Sequence, residues 1–416
     1  MQRRKFLTNV GAVGAAAGMV GVSQPLLAAQ RTRGGGRPLR IGVVGGGIVG
    51  ACTAMHLAQA GAQVTLFEKT APAAGATRAS LAMMHVYEPD KHFQALRLQS
   101  FLYYRELDYP LQLNVTWGGS VLWATDPAEN ERLRTIAGWV EGLEIDGLPY
   151  AARTLDAAEF ARICGSCIDP GAMTAGIHSP IDGHVDPVWV TLRFLDQARL
   201  AGAKVIFPCE VQQFEHRGNR LAGVVTTQGK FALDRVVIAS GADSPRLTSM
   251  LGYQLPLLHS PGMTAHSVDM PSFTKMAFNG PDRTGFKQLP TGEIVAEVNY
   301  GSPPDLPQHA QILKETIPYP SKALEKRHAE IVFSRVSKYF TCARAATPRE
   351  VRLGFRPMPK DRNPVMGAVP GTEDVYLAVT REGVSLAAIV GRYVTQELLT
   401  GTPAEMFAPY RPTRFL

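Results

Sequence analysis

Short apolar runs that suit buried strands alternate along this chain with longer runs of helical period, and the switches between them place its elements. An apolar strand at 39–44 passes through a glycine turn, Gly45 to Gly50, into a helical run at 49–60. A second strand at 63–67 ends in Glu68, and the small residues of 71–79 read as a loop. Thr116 to Trp123 reads as a turn and strand that open a second, sheet-rich module. A helical pattern at 188–201 ends at Gly202 and gives way to a strand at 204–207, then to strands at 221–227 and 236–239. The last of these runs into Ser240, Gly241 and Ala242, a second strand-to-glycine turn. Pro and Gly punctuate 257–340, which also carries an alternating stretch at 293–300 and an amphipathic helix near 321–336. The tail, 354–399, returns to the first module.

This order predicts an α/β protein with a discontinuous, Rossmann-like nucleotide-binding domain at 38–95, 180–256 and 345–416. An antiparallel-sheet-rich second domain takes 96–179 and 257–344. The glycines carry the chemistry. Gly45 permits the tight turn, Gly47 lets the backbone approach a pyrophosphate, and Gly50 lets the helix pack close to the strand. The helix start then offers unpaired N–H groups and a favourable dipole to phosphates. Glu68 stands where an acidic side chain meets an adenosine ribose hydroxyl, and its carboxylate would repel a 2′-phosphate. Gly241 supplies backbone that approaches the cofactor from the side opposite Gly47.

Composition changes the picture at the ends. Arg3, Arg4 and Lys5 precede a weakly apolar Gly/Ala-rich segment that closes on Ala28 and Ala29, which predicts a twin-arginine export signal over 1–29 and a flexible linker over 30–37. That route carries folded proteins, so it fits a chain that loads a nucleotide in the cytoplasm and works in the periplasm. No other segment is long and apolar enough to cross a bilayer. The formal net charge of +7 falls by three with the signal, and no basic stripe with interleaved aromatics argues for nucleic acid. Cys52, Cys164, Cys167, Cys209 and Cys342 are an odd set, so at least one thiol should stay free. Cys164 and Cys167 have redox-motif spacing, yet no second pair or histidine cluster completes a metal site, and they read as a structural pair. Cys52 reads as a buried small apolar residue.

From about residue 38 to its end the chain resembles the D-amino-acid oxidase and dehydrogenase family of FAD enzymes, which includes glycine oxidase and the bacterial D-amino-acid dehydrogenases. The motifs that carry the likeness are Gly45-x-Gly47-x-x-Gly50 with Glu68, His184-Val185-Asp186-Pro187 before a helix, and the strand and turn ending at Gly241. To these is added a C-terminal signature from Gly354-Phe355-Arg356-Pro357 to Gly367, followed by Tyr376 to Leu386. The resemblance implies FAD contacts at Gly45, Gly47, Ile48, Val49, Gly50, Glu68 and Lys69. It implies further contacts at Ser80, Val211, Gly241, Gly383, Val384 and Ser385.

The likeness also implies oxidative deamination of a D-amino acid or a related small amino acid, by hydride transfer from the α-carbon of an unprotonated amine to the flavin. The product imine is then hydrolysed by water. Guanidinium forks suit a substrate carboxylate, and the two C-terminal motif positions that supply them correspond to Arg356 and Arg381. No proton-abstracting side chain is required. Of His85, His259 and His266, His85 is the acid–base candidate. Where relatives usually carry a Ser-x-Ala-Asn-Gly-type segment beside the flavin, this chain has Ala79-Ser80-Leu81-Ala82-Met83-Met84-His85. Glu382, next to Arg381, either attracts the substrate ammonium or points away to pair with a surface base. No cysteine lies between Gly354 and Gly367, where the sarcosine-oxidase branch attaches its flavin, so non-covalent FAD is expected. The electron acceptor would be a quinone, a cytochrome or dioxygen, and a quinone would bring peripheral membrane association. The alternative is a flavoprotein acting on a partner protein, as a maturation or electron-transfer factor.

Overall fold

The computed structural model describes residues 37–145, 147–150, 153–169, 173–218, 220–298 and 321–416. The expected export signal, and the linker apart from Arg37, lie outside these residues. Its first layer is a six-stranded sheet in the order Lys204–Ile206, Gln63–Phe67, Arg40–Val44, Arg235–Ile238, Val375–Val379, Val365–Ala368. All neighbours are parallel except the last pair. The central strands are apolar along their length because both sheet faces are covered. Helices Ile48–Gln59, Pro187–Leu200 and Gly383–Thr400 pack together on one face. The three-stranded meander Val211–Arg217, Arg220–Thr226, Gly229–Ala232 contributes Val211, Phe214 and Val224 to the core on the other. Arg40–Val44 sits beside Arg235–Ile238, where the connections leave in opposite senses. Crevices at such a switch point bind dinucleotides.

The second layer is an eight-stranded sheet running Pro348–Phe355, Pro261–Ser267, Ile294–Val298, Thr284–Gln288, Ala277–Asn279, Ser120–Ala124, Ala175–Ser179, Arg153–Leu155. Among the described residues its only parallel pair joins Ala277–Asn279 to Ser120–Ala124. Helix Lys322–Tyr339, capped by the Ser321 side chain, covers one face, where Trp123, Phe160, Phe278, Phe286 and Phe340 form an aromatic core. Strand Ile294–Val298 is buried at every position rather than half-exposed as its alternation predicts. The helix covers the face of Ile294, Ala296 and Val298, while Val295 packs with Leu81 and Leu289 and Glu297 faces the cavity. Positions 299 and 300 lie outside the described residues.

Two boundaries move. Helix Lys91–Leu111, capped by Asp90, lies mostly within the span expected for the second domain, but it packs on Gly383–Thr400. Its Phe93, Leu96, Phe101 and Tyr104 join the first core, each worth roughly 1.5–3 kcal/mol when fully buried. Tyr104 Oη donates to the Val384 carbonyl at 2.8 Å. Strand Pro348–Phe355, expected in the nucleotide domain, instead pairs with Pro261–Ser267 in the second sheet.

The cysteine pairing also differs from the expected one. Cys167 is disulfide-bonded to Cys342, and Cys164 is a buried free thiol, as are Cys52 and Cys209. Cys164 ends a helix with its side chain in the core. The Ile168–Phe340 bridge and the Thr341 hydroxyl, donating to the Cys167 carbonyl at 3.1 Å, bring Cys342 to Cys167. Among the described residues no helix is long and apolar enough to cross a membrane.

Candidate active site

A cavity of about 1660 Å³ runs between the two modules. That exceeds the ≈ 300–1,000 Å³ of a pocket for one small ligand, so there is room for a cofactor and a substrate together. One end opens at the glycine turn. Gly45 takes φ +115°, and a Cβ there would sit 2.5 Å from the Ala239 carbonyl oxygen, so the turn lies against the neighbouring strand end. A Cβ on Gly50 would lie 2.0 Å from the Gly45 carbonyl oxygen, which is why Gly50 packs behind the cavity wall rather than lining it. Gly45, Gly47, Ile48 and Val49 all line the cavity. The helix that starts there has no side-chain cap, and Thr77 Oγ1 meets only the Ile48 N–H, at 3.2 Å.

Glu68 is fixed by the Gly46 N–H at 2.7 Å and by the Thr70 N–H and hydroxyl at 2.8 and 3.0 Å, with its carboxylate at the cavity wall. Lys69, held 3.6 Å from Asp243, lines the same end, as do Val211 and Gly241. Further along, Ser80, Gly383, Val384 and Ser385 line the wall. Helix Gly383–Thr400 also begins without a side-chain cap, so a second set of open N–H groups and a second positive dipole end face the cavity. Backbone cradle, uncapped helix starts and Glu68 together fit an extended dinucleotide.

The far end is built from charge. Arg97, on the buried face of helix Lys91–Leu111, reaches Glu382 at 3.0 Å, Glu88 at 3.4 Å and the Tyr87 carbonyl at 3.1 Å. Its Nη1 meets His85 Nδ1 at 3.3 Å, which assigns the His85 proton to Nε2. Arg381 meets Glu382 at 2.5 Å and donates from Nε to the Arg362 carbonyl at 3.0 Å. Burial pushes the Glu382 carboxyl up, but the charges of Arg97 and Arg381 outweigh it and hold it at about 2. Glu382 therefore does not pair with a surface base: its partners are the buried Arg97 and the cavity-lining Arg381. Burial, aided by Arg97, pushes the His85 imidazole down to about 3. Held neutral and engaged by Arg97, the ring acts here as a hydrogen-bonding group, which argues against the acid–base expectation.

Arg356 lies in the same cavity, with its backbone N–H bonded to the Ser260 carbonyl at 2.8 Å and its guanidinium 3.6 Å from Glu297. The two expected forks thus share one cavity but differ in occupation. Arg381 is engaged by Glu382 and the Arg362 carbonyl, whereas the Arg356 pairing is long.

From the second module Ser120, Leu122, Leu258, His259 and Asn279 line the cavity, but Trp117 and Trp123 do not. Trp117 is tied to Asp108 at 2.9 Å and Trp123 lies in the second core. Met83 lines the cavity while Met84 is buried behind it. His266 is buried between Thr264 and Glu293, away from the cavity. Arg97 escaped the sequence reading, although its place on a helical face with Phe93, Ser100, Phe101 and Tyr104 is the signal of a buried charge with a partner. Glu88 and Glu297 gave no comparable signal.

Over residues 40–397 the sequence matches the DAO family, described as FAD dependent oxidoreductase. The chain belongs to this family. It is 28% identical over 222 residues to the mitochondrial dimethylglycine dehydrogenase of Homo sapiens, a match covering 52% of this chain and 25% of that protein. It is 29% identical over 266 residues to the D-amino-acid oxidase of Bradyrhizobium diazoefficiens, covering 61% of this chain and 53% of that protein. The chain thus spans a quarter to about half the length of these two curated relatives. Among solved structures, L-proline dehydrogenase from P. horikoshii superposes with a TM-score of 0.78 at 21% identity, over 91% of this chain and 98% of that one. That likeness establishes the fold: a Rossmann-like FAD-binding domain beside a second, sheet-rich domain. For a member of this FAD-dependent family, the cradle at Gly45 to Val49 and the start of helix Gly383–Thr400 are the places where the cofactor fits.

Proposed function

We propose that the chain oxidises a small amino acid, a D-amino acid or a related secondary or N-substituted one, with non-covalently held FAD as the electron acceptor. One observation carries this reading: the loosely paired Arg356 faces the same cavity as the glycine cradle and both uncapped helix starts. FAD bound there would supply the acceptor for the substrate's α-hydrogen, taken as hydride. The protein's task is orientation. Arg356 and Glu297, a cation beside an anion, match a zwitterion, with carboxylate toward the guanidinium and amine toward the carboxylate. Arg381, Arg97, Glu88 and Glu382 form a near-neutral wall that fixes the surrounding backbone. Side-chain exposures of 28% for Arg356 and 15% for Arg381 suit a small enclosed substrate better than the surface of a partner protein. The free thiols Cys52, Cys164 and Cys209 stand outside the Gly354 to Gly367 signature, which supports non-covalent FAD.

The amino-acid donors named in the relatives, dimethylglycine, a D-amino acid and proline, support the substrate class and leave chirality and N-substitution to the pocket walls. The twin-arginine pattern supports work in the periplasm, with a quinone or cytochrome taking the electrons. The test is anaerobic bleaching of the purified flavoprotein by a panel of D-amino acids, glycine, N-methyl amino acids and proline. Bleaching by at least one member is expected. No bleaching by any, while sulfite still forms its flavin adduct, would remove the small-substrate reading.

A further inference from the structure

Gly262 stands opposite Gly354 in the pairing of strands Pro261–Ser267 and Pro348–Phe355. A glycine inside a strand gives up side-chain packing and costs backbone entropy, so each of the two needs a reason. Gly354 has one in the contact between modules, because a Cβ there would come within 2.8 Å of the Ala76 Cα and 2.9 Å of the Ala79 Cβ. Gly262 differs. Its backbone lies outside the left-handed region, so other residues could adopt it, and the three atoms nearest to an added Cβ all belong to the Arg356 guanidinium.

That Cβ would lie 3.2 Å from Nε and 3.4 Å from Nη2, but 3.6 Å from Cζ, the carbon that joins them. A group stacked over the guanidinium centre would be nearest to Cζ; one nearer to both nitrogens is displaced toward their shared edge. A carboxylate paired with Nε–H and Nη2–H sets its oxygens about 2.7–2.9 Å in front of that same edge. The Cβ and the carboxylate would need one space. Gly262 leaves it to the cavity, which Gly262 and Arg356 both line. No protein acceptor takes the edge either: among the described residues the guanidinium has its 3.6 Å approach to Glu297 and no hydrogen bond. A charged fork with 28% side-chain exposure that donates to nothing is costly until a ligand completes it.

We infer that Gly262 determines specificity through Arg356: its missing side chain keeps the Nε–Nη2 edge open, and that edge receives the substrate carboxylate. This rests on the carboxylate site proposed above and adds its binding mode. Nη2 is also the nitrogen that approaches Glu297, so a carboxylate on this edge sits beside Glu297, where the amine on the next carbon finds its partner. A side chain at position 262 either covers the edge or pushes the guanidinium aside. In both cases carboxylate binding is lost while the fold is kept.

The test uses the FAD-loaded protein, the variants Gly262→Ala and Arg356→Leu, and the double variant. The probe is anthranilate, a carboxylate without an α-hydrogen, titrated against the flavin absorbance. Gly262→Ala should raise its Kd by roughly 10²-fold, the scale of a misplaced orienting group, with flavin content unchanged. The denaturant midpoint of this variant should not fall, because alanine suits the backbone there, whereas a glycine needed only for packing would show a loss. In the Arg356→Leu background the same change should alter the Kd by less than about twofold, since its effect passes through Arg356. Wild-type affinity in Gly262→Ala, or its full loss repeated in the Arg356→Leu background, overturns the role of Gly262 and leaves the carboxylate site standing. If Arg356→Leu binds anthranilate as the wild type does, the carboxylate site falls and the inference falls with it.

Discussion

At the glycine-turn end, the cavity wall comes from the two ends of one strand–turn–helix–strand unit, Val44, Gly45 and Gly47 to Val49 and then Phe67 to Lys69, completed by the strand end at Gly241. At the far end it is charged side chains brought from positions as distant as Glu88, Glu297 and Glu382. The first construction tolerates almost any side chain provided the glycines stay, because N–H groups and a helix dipole do the binding. The second depends on pairing, because a charge taken out of water is stable only with its partner beside it. On the proposed function, cofactor binding and substrate selection would therefore be separated along one cavity. Changes at the charged end should alter substrate and stability while leaving flavin in place.

The sharpest break of this comparison is Glu382→Gln. It removes the carboxylate charge between Arg97 and Arg381 and should cost about 3–5 kcal/mol in denaturant unfolding, the scale of a broken buried pair. Because the Glu382 carboxyl is depressed from 4.5 to about 2, its stabilisation is full above pH 4.5 and is lost as pH falls through about 2. The gap between wild type and variant should therefore close in acid; a gap that stays open would place the loss elsewhere. Arg356→Leu comes next. It should weaken transition-state binding of a carboxylate substrate by about 2–4 kcal/mol, read in kcat/KM, with flavin content unchanged. At the other end, Gly50→Ala forces a Cβ onto the Gly45 carbonyl and should cost about 1–3 kcal/mol, with weakened flavin retention in gel filtration. The smallest effect is expected of His85→Asn. With the imidazole neutral above about 3, the pH profile of bleaching from 5 to 9 should not move, and a lost inflection there would restore His85 as a base.

The same contrast explains what the sequence disclosed. Strand Gln63–Phe67 and the turn into helix Ile48–Gln59 were legible because local periodicity and glycine spacing determine them. The Glu382 partners were not, since an acid beside Arg381 says nothing about an arginine 285 positions earlier that helix packing delivers. The disulfide of Cys167 with Cys342 was hidden for the same reason: local spacing singled out Cys164, whereas the tertiary bridge at Ile168 and Phe340 chose the partner. Helix Lys91–Leu111 was misplaced because its apolar face does not declare which of two cores it will join.

On the proposed function, one cavity holds FAD along the glycine cradle and a carboxylate at Arg356. A crystal structure of the FAD-loaded protein with a non-reacting amino-acid analogue tests it most directly. The pyrophosphate is expected against the Gly45 to Val49 backbone and the analogue's carboxylate within hydrogen-bond distance of Arg356. A carboxylate bound away from Arg356, with that side chain still turned to Glu297, would contradict it.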